Sequence, residues 1–306
     1  LGMYETLITV RSTEMRLEGV SPDEIRADAG GTFHVDMAWT AIAPPSADYQ
    51  TEIWLEDSSG LVWSQKGTER PRIFEDAPPT RQWVPGEWGW DSREVRILTG
   101  TPPGTYPIVM TLFDKETLQP VTLTDDDSGE VLGPTAVIGW VSVQNPIISP
   151  TLDAQFPLQA DLPELGLRLL GYNQDRSTAA PGDSVLMTFF WNCSQPAACG
   201  RIRLSLSNGT DPIVEWKLPA VEERMPPIAW PDDGFLRGQH LLQLPAGLAS
   251  GDYQFFLNDE IPLGELAVLA PERVYTPPQL LLELNEPFTT IGTEITLAGL
   301  AAHPSC

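Results

Sequence analysis

Three tryptophans, Trp83, Trp88 and Trp90, fall close together in the segment QWVPGEWGWD, with Arg81, Glu87 and Asp91 among them. Flat indoles stack on the apolar face of a sugar ring while nearby acids and an arginine bond its hydroxyls, so this is a candidate ligand site. The competing reading is architectural: Trp83 in a core and the other two lidding an edge. Trp83 recurs later in the chain as Trp230 whereas Trp88 and Trp90 do not recur, so Trp83 is assigned to structure and Trp88 and Trp90, with Arg81, Glu87 and Asp91, to binding. A second constellation is TDDDSGEV, where Asp125, Asp127 and Glu130 offer oxygen ligands to calcium. Gly129 and Ala136 stand where an EF-type loop needs other residues, which leaves weak calcium binding against a solvated hairpin tip.

Little else in the chain is arranged for chemistry. His34, His240 and His303 stand singly, with no HExxH, CxxC or GxSxG pattern and no glycine-rich phosphate loop. No catalytic residue, no metal site beyond the weak calcium reading and no cofactor follow. Cys193 and Cys199 bracket SQPAA between two apparent strands. Residues facing each other across a hairpin lie within disulfide range, so these two are expected to pair, which implies an oxidising compartment. Cys306 has no obvious partner.

The elements that must position these residues are legible because the chain repeats itself. MRLEGVSPDEIRADAGGTFHVDMAWTA, with Gly19, Gly30 and Trp39, returns as LRLLGYNQDRSTAAPGDSVLMTFFWNC, with Gly171, Gly182 and Trp191, each 152 residues on. Trp83 and Tyr106 are echoed by Trp230 and Tyr253, at an offset of 147. ITLAGLAA, around Gly299, begins the phrase once more. Within each repeat, apolar residues alternate with polar ones, as in Phe33, Val35, Met37 and Trp39, the period of a strand with one buried face. Thirty prolines and twenty-five glycines leave no room for long helices. A tyrosine after a glycine turn, in GTY and GDY, matches the tyrosine corner of immunoglobulin-like sandwiches. The expected fold is therefore all-β: tandem immunoglobulin-like (Greek-key) β-sandwiches joined by Pro-rich linkers, with about seven strands each. Module one spans 1–145, a stiff linker 146–162, module two 163–270, and 271–306 holds a linker and the first strand of an incomplete third module. Extended proline linkers predict an elongated arrangement.

Composition narrows the partners. Forty-two acidic groups against eighteen Lys and Arg give a net charge of −24, which disfavours nucleic acid and anionic lipid. No apolar run is long enough to span a membrane, so any tether lies outside this chain.

The run GGTFHVDMAW, DYQTEIWLEDSSGLVWSQ, PPTRQWVPGEWGWD and PPGTYPIVMTLFDKETLQPV resembles the β-sandwich domains found as extracytoplasmic tails of polytopic bacterial glycosyltransferases of the dolichyl-phosphate-mannose-dependent type, and in related bacterial surface proteins. Tyr49, Gly60, Pro79, Thr80, Trp83, Gly86, Asp91, Gly104 and Tyr106 carry the likeness over residues 15–143; over 165–268 it is looser, PTxxW having become PPIAW. The resemblance implies a non-catalytic accessory domain outside the membrane. The sequence is thus read as a non-enzymatic extracytoplasmic spacer or binding module for cell-surface protein or glycan. The alternative is the soluble tail of a membrane-embedded glycosyltransferase. The lone third-module strand, EITLAGLAA, is expected to leave an unpaired edge and to favour self-association.

Overall fold

In a computed structural model, residues 9–21, 25–66, 79–148, 150–193, 200–209, 212–222, 230–231 and 234–270 are described, together with the backbone of 289–291 and 295–297. Secondary structure there is β throughout apart from two 3-10 turns, Thr80–Gln82 and Pro163–Leu165, and no helix is long and apolar enough to cross a membrane.

Module one contributes β1 (Val10–Arg11), β2 (Met15–Ser21), β3 (Ile25–Asp28), β4 (Thr32–Ala41), β5 (Tyr49–Leu55), β6 (Trp88–Arg96), β7 (Gly104–Asp114), β8 (Leu123–Asp125), β9 (Val131–Gly133) and β10 (Ala136–Gln144). They form two sheets, in orders β6-β4-β2-β1-β8-β9 and β3-β10-β7-β5. Module two contributes β11 (Phe156–Leu162), β12 (Leu167–Gln174), β13 (Thr178–Ala179), β14 (Ser184–Cys193), β15 (Arg201–Ser207), β16 (Pro212–Pro219), β17 (Leu236–Gln243), β18 (Gly251–Leu257) and β19 (Ile261–Val268). Its sheets run β11-β12-β14-β17 and β13-β19-β18-β15-β16. Stripped of short additions, both modules have the same seven strands in the same places. In each, the opening strand splits between the sheets, and its second half pairs parallel with the last strand, β3 on β10 and β13 on β19. That is the immunoglobulin-like sandwich expected from the repeat.

Local chemistry explains the agreement. Gly30 and Gly182 both hold a positive φ, 82° and 86°, in the turn that reverses into β4 or β14, a backbone state open to glycine. The register slips at the same point in both modules, between Leu17 and Gly19 and between Leu169 and Gly171. Tyr106 Oη donates to Pro102 O at 2.9 Å, and Tyr253 Oη to Ala249 O at 2.9 Å, so both tyrosine corners close four residues upstream. Two separate cores result. One gathers Leu17, Val35, Met37, Trp39, Ile53, Ile108 and Val141; the other Leu169, Val185, Phe189, Trp191, Leu204, Phe255 and Leu266. Burying each such side chain stabilises by about 1.5–3 kcal/mol.

Two sequence expectations need amendment. The last seven of the seventeen residues read as a linker over 146–162 are strand: β11 pairs with β12, stacks Phe156 on Tyr172 at 4.9 Å and packs Leu158 and Ala160 on the second core. The modules also touch directly. Arg237 N donates to Gly100 O (2.6 Å), Arg237 Nε to Thr99 O (2.9 Å) and Gln239 Nε2 to Val62 O (3.0 Å). The free swing between beads that a bare linker allows is replaced by a built joint. Leu1–Leu269 accordingly form one compact unit and Ala270–Cys306 another. In the latter, the strand expected within EITLAGLAA is β21 (Ile295–Leu297), and it has a partner, β20 (Thr289–Ile291), antiparallel to it. Gly299, His303 and Cys306 lie outside the described residues.

Candidate functional site

Trp88 and Trp90 open a strand, β6, and Trp83 precedes it at the end of the 3-10 turn. A tight turn precedes β6: Glu87 N donates to Val84 O, the Glu87 carboxylate accepts Val84 N at 2.9 Å, and Gly86 N and Glu87 O bond Ala41 at the end of β4. From Trp88 onward the alternation WGWDSREVR pairs in register with β4, Thr40 opposite Trp88 and Ala38 opposite Trp90. Indoles at alternate positions suit a pleated surface, and among the described strands β6 lies at the edge of its sheet.

Period two then sorts the candidates onto opposite faces. Trp88 and Trp90 point outward, 63% and 50% exposed, with ring centroids 6.1 Å apart and planes at 82°. Ser92 and Glu94 follow on that face, Ser92 Oγ bonding the Asp36 carboxylate and Glu94 lying 3.6 Å from His34 Nε2. His34 and Asp36 thus share the outer face, each engaged with β6. Gly89, Asp91, Arg93 and Val95 point inward. Gly89 makes room for Trp83: a Cβ there would lie 2.7 Å from the indole, and Trp83 packs against the core as its recurrence indicated.

Asp91 is therefore not beside Trp88 and Trp90. It is buried and ion-paired with the wholly buried Arg93, Oδ1 to Nε 3.1 Å, while Thr51 Oγ1 bonds both partners. Arg81 is also elsewhere, in the 3-10 turn, 3.3 Å from Glu116. Glu87 closes its own turn. Of the five residues read as a site, the structure brings only Trp88 and Trp90 together.

The acidic turn is self-contained. Asp125 Oδ1 accepts Ser128 N (2.7 Å), Ser128 Oγ (2.9 Å) and Asp127 N (3.1 Å), bonds that hold its carboxyl below the usual range. Asp126 pairs with Arg11 at 2.6 Å, and Asp127 accepts Thr9 Oγ1. The carboxylates of Asp125, Asp127 and Glu130 do not converge, and no metal-holding group of three occurs among the described residues. Cys193 is buried at the end of β14, and Cys199 lies outside the described residues.

One feature escaped the sequence reading: a cleft of about 1050 Å³ at the joint, lined among others by Asp57, Trp63, Tyr106, Val221, Glu222, Gln239 and His240. Burial, then the nearby Asp57 charge, raises the Glu222 carboxyl above its ordinary value, and burial pulls His240 down to about 4. Perturbed groups in a cleft are a catalytic signature, but here Tyr106, Asp57 and His240 have structural employment. Tyr106 makes the tyrosine corner. Asp57 caps the hairpin, accepting Ser59 N (2.8 Å), Leu61 N (3.1 Å) and Trp63 Nε1 (2.7 Å). His240 faces the core of module two against Phe189 at 6.0 Å. No single residue announces this cleft, because it exists only where two modules meet.

Comparison with known proteins adds little. No family model matches the chain, and no curated protein matches it. Among solved structures, the ectodomain of the teleost fish polymeric Ig receptor aligns at 14% identity over 82% of this chain and 98% of that one, with a TM-score of 0.19. The immunoglobulin-like assignment stands on the strand topology itself.

Proposed function

We propose that this chain is a non-enzymatic, extracytoplasmic tandem sandwich that acts as a spacer and binds a protein partner through the outer face of β6. The observation that carries this is the adjacent pair Trp88 and Trp90 on a regular sheet face, more than half and half exposed, where a surface strand normally carries polar groups. Indoles are the residues most enriched at binding hot spots. A protein is favoured over the glycan suggested by the sequence. Rings at 82° offer no common plane for successive sugars, and Arg81 and Asp91, needed for hydroxyls, are placed elsewhere. Pairing of Cys193 with Cys199 would fit export to an oxidising space.

The test is a photo-reactive residue in place of Trp90, with the chain displayed on the cells that make it. A covalent protein adduct that vanishes on Trp88→Ala is expected. Failure to capture protein, with Trp88-dependent retention on a glycan array instead, overturns the reading in favour of a carbohydrate ligand.

A further inference from the structure

The repeat supplies its own example of what covers this face. Trp39 and Trp191 are equivalent; Gly89 faces the first and Leu236 the second. Trp88, Trp90 and Ser92 therefore occupy in module one the places that Phe235, Arg237 and Gln239 occupy in module two. Those three are only 6–7% exposed, because module one sits on them. Phe235 lies over Gly100, where a Cβ would come within 2.8 Å of its ring. Arg237 binds the carbonyls of Thr99 and Gly100 and stacks 4.8 Å over Phe190, and burial lowers its pKa to about 10. The same sheet face is closed in one module and open in the other.

Among the described residues the complementary end is open too. The turn that module one inserts is Leu98–Thr101, closed by Thr101 N to Leu98 O at 3.2 Å. Its counterpart in module two, Pro245–Leu248, has the same bond, Leu248 N to Pro245 O at 3.1 Å, with Gly247 in the place of Gly100 but without its positive φ of 76°. Ala246 and Gly247 are exposed, and nothing lies within 4 Å of a Cβ built on Gly247. A glycine-bearing turn that offers carbonyl oxygens is what an aromatic ring and an N–H donor dock against in the existing joint. Trp88 replaces Phe235 ring for ring, and the Trp90 indole N–H replaces the Arg237 donor.

We infer that the Trp88–Trp90 face of one chain binds the Pro245–Leu248 turn of a second copy, repeating the joint between modules one and two and joining copies head to tail. This rests on the reading of that face as a protein-binding surface and names its partner. The contact is heterologous, so each copy keeps one free face and one free turn, and association grows with concentration instead of stopping at a dimer.

Sedimentation velocity from about 1 µM to about 1 mM tests it. The wild-type mean mass is expected to rise past that of a dimer. Trp88→Glu and Gly247→Arg, both at exposed positions, should each stay monomeric. An equimolar mixture of the two should form a dimer and no larger species, since it restores one face and one turn. A wild-type chain monomeric throughout, or variants that associate as it does, would overturn the proposal. If that monomer still yields a Trp88-dependent adduct with another protein on the cell surface, self-docking fails and the binding face stands; if it yields none, both fail.

Discussion

The edge strands β6 and β17 hold the same place in two copies of one fold, and they differ on both faces. Outward, Trp88, Trp90 and Ser92 meet solvent, whereas Phe235, Arg237 and Gln239 meet a neighbouring module. Inward, Asp91 and Arg93 form a buried ion pair with Thr51, while the equivalent Gly238 and His240 carry no such pair. Duplicated sandwiches thus keep their cores and corners and diverge at the edge strand, where a change of side chain alters contacts without altering the fold. The edge is where one module becomes a joint and the other a surface.

The largest effect expected from breaking this comparison lies on the inner faces. Asp91→Ala removes the buried carboxylate that faces the Arg93 guanidinium, and chemical denaturation should show module one destabilised by about 3–5 kcal/mol. His240 should make module two sensitive to acid. Its folded pKa, near 4, is below the ordinary 6.5, so the fold favours the neutral ring. Stability is then full above pH 6.5 and falls as pH drops through the window to about 4, by up to about 3 kcal/mol; His240→Gln should flatten that slope in pH-dependent melts. Gly100→Ala places a Cβ on a positive-φ backbone and into Phe235, and should cost more than about 1 kcal/mol; Gly247→Ala, in open space, should leave the midpoint unchanged. Smallest of all, Trp88→Ser with Trp90→Ser should shift stability by under about 0.5 kcal/mol per site while abolishing capture through the β6 face.

Much of the fold could be read from spacing because the same local rules were written twice. The paired glycine turns, the alternation ending in Trp39 and Trp191, and the tyrosine corners each name a strand or its reversal. The candidate site was legible only in part. Pro85 and Gly86 signal a turn, and that signal concealed the alternation starting at Trp88, which by itself places Asp91 on the face opposite the indoles. β11 was hidden by Pro157 and Pro163, although Leu158, Ala160 and Leu162 alternate across it. The joint was invisible for a different reason: module one contributes to it carbonyl oxygens and a glycine, groups that every turn possesses. Gly100 differs from Gly247 in its positive φ and in the Phe235 ring packed on it, and neither shows in the sequence.

Hydroxyl-radical footprinting of the dilute chain, with each residue's rate normalised to that in denaturant, tests the central contrast most directly. Phe235 should be strongly protected, and Trp88 and Trp90 should react nearly as fast as in the unfolded chain. Equal protection at Phe235 and Trp88 would show that the two edge faces are not one closed and one open, and would contradict the account.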